Sequence, residues 1–177
     1  QSSYGAQKAI GELLLNDYSR RGFVDGRVLR LPTISVRPGK PNKAASSFAS
    51  GIIREPLNGE AAVCPVSTDL RLWLLSPRGA IASLIAGHEL AGAAFGASRT
   101  VNLPGLSVSV GEMIAALEQV AGSEVTARIS YAPDPAIERI VKSWPGAWDT
   151  ARAEALGLTA DADVAAIIRA YMDDVKA

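Results

Sequence analysis

The stretch Ser3-Tyr4-Gly5-Ala6-Gln7-Lys8-Ala9-Ile10-Gly11-Glu12 decides how the rest of the chain is interpreted. Apolar residues recur at helical spacing from Tyr4 to about Arg21, which predicts a helix that Gly22 ends. Tyr4 and Lys8 stand four positions apart, so both side chains lie on one face of this helix. An ammonium group beside a phenol favours the phenolate and lowers the phenol's pKa from its ordinary value of about 10. The spacing therefore suits a general base, although on its own it also fits two surface groups on an amphipathic helix.

The pattern that follows alternates strands with helices. The stretch Arg27 to Ile34 (RVLRLPTI) predicts one buried strand, with Pro32 marking its end, and the polar stretch 37–43 predicts a loop. Further strands are predicted at 62–65, 71–75, 100–103 and 125–131, and further helices at 45–54, 77–94, 110–121, 134–143, 150–156 and 162–175. Ser76-Pro77 predicts a helix start, and Ser109 with Glu112 matches a capping box. This alternation predicts the α/β class.

Composition limits the function classes. The chain has 177 residues, of which 48% are hydrophobic, enough for a sizeable core. Its net charge is zero, so no basic surplus points to nucleic acid or to a membrane surface. The single cysteine, Cys64, excludes an internal disulfide, and the single histidine, His88, has no second ligand nearby in the sequence, so we predict no metal site. Since the apolar stretches are too short to span a bilayer and no signal peptide is visible, we expect a cytoplasmic protein.

Three features, taken in order, resemble the extended short-chain dehydrogenase/reductase family, also called the NAD-dependent epimerase/dehydratase family. They are Tyr4-Gly5 followed by Lys8 and Glu12 at steps of four, Leu29-Arg30 on the next strand, and Arg71-Leu72-Trp73 ahead of Ser76-Pro77. The resemblance implies the C-terminal part of a Rossmann-like doubly wound parallel sheet plus a small mixed α/β substrate-binding domain. It assigns residues 1–37 to the end of the NAD-binding domain. Residues 38–177 would form mainly the substrate-binding domain, with some segments returning to the Rossmann sheet.

The resemblance also implies roles for individual residues. Tyr4 matches the family's catalytic acid/base, and Lys8 matches the lysine that binds the ribose of NAD. The segment Leu31-Pro32-Thr33 matches the part that lies against the nicotinamide. Arg71 matches a position that binds the diphosphate of nucleotide sugars, and a guanidinium there suits a carboxylate equally well. The remaining substrate-binding candidates are Thr33, Arg37, Trp73 and Arg78.

Two segments narrow the expected substrate. Leu29–Asn42 and Leu103–Val108 resemble family members that oxidise a small sugar acid of the D-erythronate kind with NAD. Thr33 stands where epimerases often carry Asn, and Leu75-Ser76-Pro77-Arg78 replaces their His-Val-x-Asp run, which argues against a nucleotide sugar. Two alternatives stay open: a nucleotide-sugar epimerase or dehydratase of the same family, and a non-catalytic binding module.

Part of the family's pattern is missing from the sequence. No Gly-x-x-Gly-x-x-Gly motif follows a strand near the N-terminus, where the family's loop places the pyrophosphate on a helix N-terminus. Ser2 and Ser3 lie too close to Tyr4 to match the family's catalytic serine. We therefore expect a truncated chain that is inactive by itself. The resemblance also implies a homodimer through the helix that carries Tyr4 and Lys8.

Overall fold

The computed structural model describes residues 2–40, 42 and 44–176, so Pro41 and Lys43 of the predicted polar loop lie outside the described residues. The helices are α1 (Ser3–Arg20), α2 (Phe48–Leu57), α3 (Pro77–Glu89), α4 (Val110–Ala121), α5 (Ser123–Thr126), α6 (Pro135–Lys142), α7 (Ala151–Ala155) and α8 (Val164–Lys176). The strands are β1 (Val28–Arg30), β2 (Thr33–Ile34), β3 (Ala62–Cys64), β4 (Arg71–Leu75), β5 (Thr100–Asn102), β6 (Leu106–Ser109) and β7 (Ile129–Tyr131). Short 3-10 turns occupy Ala45–Ser47 and Gly92–Phe95. The predicted α/β class is confirmed.

The strands form three small sheets. β1 runs parallel to β5, and β3 runs parallel to β7. β4 is the centre of the third sheet, with β2 parallel on one side and β6 antiparallel on the other. Parallel neighbours need long crossover connections, and here those connections contain the helices.

The prediction of one strand from Arg27 to Ile34 is wrong. The chain forms two strands, β1 and β2, separated by Leu31 and Pro32, and each strand joins a different sheet. Pro32 has no backbone N–H to give to a ladder, which suits it to the crossing point between the sheets. The carboxyl end of β1 is therefore followed at once by a bend.

Local capping signals set the starts of two helices. Ser76 accepts a hydrogen bond from the Gly79 backbone at 2.9 Å, directly after β4, and Pro77 occupies the first turn of α3. Ser109 and Glu112 form the predicted capping box at the start of α4. The structure ends α3 at Glu89, earlier than predicted, and adds β6, which the sequence pattern did not predict. The predicted strand 125–131 is shorter than expected, because its first residues belong to α5.

Two clusters of buried side chains form the core. The larger one joins α2, β3, β4, α4 and α8 through residues such as Ile52, Leu72 and Met113. The smaller one packs Leu75 and Phe95 with residues of β5 and the α7 region. Since β4 contributes Leu72 to one cluster and Leu75 to the other, this strand connects the two parts of the core. The division at residues 37 and 38 stays a prediction.

Cys64 is fully buried in the larger cluster, as expected of a small apolar residue, and burial raises the pKa of its thiol. Over the described residues, no helix is both long and apolar enough to cross a membrane.

Candidate active site

An open groove of about 1220 Å³ lies between α1, β1 and α3. Helix α1 contributes Tyr4, Lys8 and Glu12, and the segment Val28–Leu31 forms its floor. Helix α3 closes the other side with Leu84, Gly87 and His88. Half of the lining residues are polar or charged and the other half are apolar or glycine. Convergent polar groups in a concave surface are typical of a small-molecule site, so this groove is the first candidate.

Tyr4 and Lys8 face each other at the mouth of the groove. The Lys8 ammonium lies 5.2 Å from the centre of the Tyr4 ring, and 69% of Tyr4 is exposed. Ser2 caps α1 by accepting a hydrogen bond from the Gly5 backbone at 3.0 Å, which places Tyr4 in the first turn. The predicted juxtaposition of the two side chains is therefore confirmed, while their chemical roles stay predictions.

Of the segment Leu31-Pro32-Thr33, predicted to lie against the nicotinamide, only Leu31 lines the groove. Leu31 lines the groove and is 47% exposed, whereas Pro32 is buried. A Cβ placed on Gly105 would lie 3.0 Å from Pro32 Cγ and 3.0 Å from Trp73 Cε2, so only glycine admits this packing. Thr33 follows in β2 and is half-buried. Pro32 and Trp73 thus form a packed layer around Gly105, behind Leu31.

The predicted substrate residue Arg71 lies outside this groove. Its Nε donates to Ser107 Oγ at 3.2 Å, and its guanidinium lies 3.5 Å from Glu112 Oε2. Arg71 lines a separate cavity of about 310 Å³ together with Lys142 and Trp144. The Ser109 backbone N–H, with a further contribution from Arg71, holds the pKa of the Glu112 carboxyl below its usual value. The indole of Trp73, two residues along the same strand, donates to the Leu103 carbonyl at 3.3 Å.

The other predicted arginines lie elsewhere. The Arg37 backbone carbonyl accepts a hydrogen bond from Arg54 of α2 at 2.8 Å, and its N–H donates to Ser50 at 3.0 Å. Arg78 pairs with Asp174 of α8, and this carboxylate raises the pKa of Arg78. The structure therefore brings Tyr4, Lys8 and Leu31 together and places Arg37, Arg71 and Arg78 at three other locations.

An ion pair inside the groove joins two residues that the sequence pattern did not pair. Glu12 Oε1 accepts from Arg30 Nε at 2.8 Å, and Glu12 Oε2 accepts from the terminal guanidinium nitrogen at 2.6 Å. The Glu12 carboxylate raises the pKa of Arg30. The only available signal was positional, since Glu12 stands four residues after Lys8 and Arg30 ends the next strand.

Among the residues that the structure describes, no group of three or more His, Cys, Asp or Glu side chains could hold a metal ion. His88 is exposed on α3 and stands at the rim of the groove.

Two curated proteins are similar in sequence to nearly all of this chain. A D-erythronate dehydrogenase of Cupriavidus necator is 66% identical over 174 residues, which make up 98% of this chain and 54% of that protein. A D-erythronate dehydrogenase of Haemophilus influenzae is 52% identical over 173 residues, 98% of this chain and 55% of that protein. Over 98% of its length the chain is thus similar to two D-erythronate dehydrogenases, in agreement with its resemblance to the extended short-chain dehydrogenase/reductase family. It spans about half the length of the curated relatives that it matches.

The fold comparison agrees with the family. The crystal structure of a nucleoside-diphosphate-sugar epimerase from Agrobacterium tumefaciens superposes with a TM-score of 0.94 at 49% identity. The match covers 97% of this chain and 50% of that one. No family model matches the chain. The predicted family resemblance and its Rossmann-like fold are confirmed by these relatives.

Proposed function

We propose that the complete protein carrying this chain is an NAD-dependent dehydrogenase that oxidises a secondary alcohol of a small sugar acid such as D-erythronate. The observation that carries the proposal is the Tyr4–Lys8 pair, one helical turn apart at the mouth of the groove. The names of the two relatives at 66% and 52% identity support the substrate class.

The chemistry proposed for this chain's own residues is a proton transfer. Tyr4, as a phenolate, takes the proton from the substrate hydroxyl, and the Lys8 ammonium stabilises that phenolate. When bound, NAD supplies the hydride acceptor for the carbon of the alcohol. Tyr4 lines the groove and is 69% exposed, which supports its access to a substrate hydroxyl.

The groove suits the nicotinamide end of the cofactor. Lys8 offers three N–H donors for the ribose hydroxyls, and Leu29, Leu31 and Leu84 provide an apolar wall for a flat ring. Pro32 and Thr33, directly after Leu31, extend this wall towards the buried layer formed with Trp73. We assign the nicotinamide and its ribose to these residues.

The carboxylate of the substrate is assigned to Arg71. The Arg71 guanidinium is half exposed and lines the same cavity as Lys142. Arg71 and Trp73 are two positions apart, so both side chains lie on the same face of β4. The Arg71 guanidinium is therefore a neighbour of the layer that Trp73 forms with Pro32. Thr33 and Trp73 would border the part of the substrate between its reacting hydroxyl and its carboxylate. Arg37 remains a further candidate for binding the substrate.

We also propose a homodimer through α1. This helix leaves Ile10, Leu13 and Leu14 between 55% and 71% exposed, an apolar surface that a second copy of α1 could cover. Sedimentation of the complete protein tests this: Leu13→Glu should shift a dimer to a monomer. Sedimentation of the unsubstituted protein as a monomer at micromolar concentration would refute the dimer.

The main alternative is a nucleotide-sugar epimerase of the same family, which the Agrobacterium structure at 49% identity favours. Incubation of the complete protein with NAD and D-erythronate separates the two, because only the dehydrogenase accumulates NADH, seen as absorbance at about 340 nm. Conversion of a UDP-sugar with no net NADH would favour the epimerase. A binding module would show neither reaction, and titration calorimetry with NAD would then measure its affinity.

A further inference from the structure

A second cavity, of about 610 Å³, lies between α2, β3 and α6 and shares no described lining residue with the candidate active-site groove. Most of its wall is apolar, and Phe48 of α2, Val63 of β3 and Ile137 of α6 contribute to it. Two acidic residues, Glu55 and Asp134, also line this cavity, and its described lining contains no lysine or arginine. The cavity therefore combines an apolar wall with hydrogen-bond acceptors of negative charge.

The Glu55 carboxylate at this cavity is buried, and only one of its oxygens has a donor. The Glu55 side chain is 9% exposed, and its Oε1 accepts a hydrogen bond from Arg54 Nη2 at 2.7 Å. Its Oε2 is buried as well and has no hydrogen-bond partner among the residues that the structure describes. Because a buried acceptor without a donor costs free energy, Oε2 requires a donor from elsewhere.

The neighbouring Arg54 guanidinium is already engaged on two sides. Its Nη1 donates to the Arg37 carbonyl at 2.8 Å, while Nη2 donates to Glu55 Oε1. Only 5% of the Arg54 side chain is exposed, so its surroundings fix its orientation. Since the described chain itself buries Arg54 and Glu55, a longer chain would leave this burial in place.

Gly51 leaves room for a donor between the cavity and the carboxylate. It stands one helical turn before Glu55 on α2 and lines the cavity. A Cβ built on Gly51 would lie 3.4 Å from Oε2 and 3.5 Å from Oε1 of Glu55. A ligand nitrogen near that place, slightly closer to the carboxylate, would be within hydrogen-bond distance of Oε2. The missing side chain thus opens a place for a donor that enters from the cavity.

The donor that suits this place best is an ammonium group. Asp134 uses its Oδ1 to cap α6 through the backbone N–H groups of Ala136 and Ile137, at 2.8 and 3.3 Å. Arg54 balances the charge of Glu55 only, so the two acids leave a negative charge at the cavity. An ammonium donates a charge-assisted hydrogen bond, which is stronger than a bond from a neutral hydroxyl. The apolar wall suits an aliphatic chain attached to that ammonium.

We propose that this cavity binds a small aliphatic primary amine, whose ammonium donates to Glu55 Oε2 in the space beside Gly51. The aliphatic chain of the amine packs against the apolar wall that includes Phe48 and Ile137. The site is independent of the proposed dehydrogenase reaction, because it uses none of the residues of the groove.

The test is a calorimetric titration of the complete protein with n-butylammonium at pH 7, where this amine is protonated. n-Butanol is the reference ligand, because it has the same chain and a neutral donor. We expect n-butylammonium to bind at least about 10-fold more tightly than n-butanol, the difference between a charge-assisted and a neutral hydrogen bond. Glu55→Gln keeps the shape of the side chain and should abolish this preference.

Gly51→Ala separates loss of the site from loss of the fold. Its Cβ would occupy the place of the ammonium at an ordinary contact distance from Glu55, and alanine favours a helix more than glycine does. The melting temperature should therefore not fall, while n-butylammonium should bind at least about 10-fold more weakly. Glu60→Gln is the matched control, because this exposed acid follows α2 and does not line the cavity; it should bind the amine as the unsubstituted protein does.

Three results would overturn the inference. The first is no binding of n-butylammonium to the unsubstituted protein at millimolar concentration, which would mean that water or another segment of the complete protein donates to Glu55 Oε2. The second is binding that is no tighter than that of n-butanol. The third is unchanged affinity for the amine in both Glu55→Gln and Gly51→Ala.

Discussion

The ammonium of Lys8 lies 5.2 Å from the centre of the Tyr4 ring, one turn further along α1. Both side chains open onto the groove that Leu31 borders on the far side. The distance suits a cation–π contact with the neutral phenol and a stronger attraction once the phenol is ionised. The Tyr4–Lys8 relationship therefore places a positive charge beside the ring of the proposed catalytic base.

Replacement of Lys8 by Met should lower the activity of the complete protein. Without the ammonium, the proposed Tyr4 phenolate loses the positive charge that would stabilise it, and the cofactor ribose loses its proposed donor. The measurement is kcat/KM for alcohol oxidation by the complete protein. Lys8→Arg, which keeps a positive charge, is the control and should lose less activity. Equal kcat/KM for all three proteins would show that Lys8 does not act on Tyr4 or on the cofactor.

Gly105→Ala should destabilise the wall beside the groove. A Cβ at this position would lie 2.7 Å from the Leu74 carbonyl oxygen, a backbone atom that cannot move aside. Overpacking of this kind costs about 1–3 kcal/mol in the free energy of unfolding. Urea denaturation of the complete protein measures that cost. Gly111→Ala is the matched control, because its Cβ would lie 3.4 Å from the Thr68 carbonyl oxygen; equal effects of the two changes would count against the packing described here.

Lowering the pH should destabilise the first turn of α4, because it protonates the Glu112 carboxylate. The Ser109 backbone N–H holds the pKa of this carboxyl below its ordinary value, so the stabilisation is complete above about pH 5 and is lost as the pH falls through the lowered folded-state pKa. Glu112→Gln should therefore lower the melting temperature at pH 7 and make it less sensitive to pH between about 5 and 3. Glu118→Gln, exposed on the last turn of the same helix, is the control. Parallel curves for the Glu112 variant and the unsubstituted protein would refute this role.

The sequence correctly predicted the features that depend on residues close together in the chain. The Ser76 and Ser109 caps are set by residues three positions away, so the starts of α3 and α4 were correct. The Tyr4–Lys8 contact needs only one turn of helix, so it was correct too. In each case the physical cause lies within four residues of the signal, where propensity and spacing act directly.

What depends on distant partners was missed. The bend at Pro32 follows from β1 pairing with β5 and β2 pairing with β4, two long-range choices that no local pattern encodes. Likewise β6 exists because it pairs with β4, more than 30 residues earlier. Glu12 and Arg30 are 18 residues apart, so the sequence did not show that these two side chains form an ion pair. The proximity of Tyr4 and Lys8 was thus predictable from the sequence, while the Glu12–Arg30 ion pair was not.

The most direct test of the account is the turnover of Tyr4→Phe in the complete protein with NAD and D-erythronate. Phenylalanine keeps the ring and removes the hydroxyl, so NADH formation should fall by about 10²- to 10⁴-fold, the usual contribution of a general base. Calorimetric affinity for NAD should stay within a few-fold of the unsubstituted protein, because Lys8 still offers its donors to the ribose. Near-normal NADH formation by Tyr4→Phe would contradict the assignment of Tyr4 as the catalytic base.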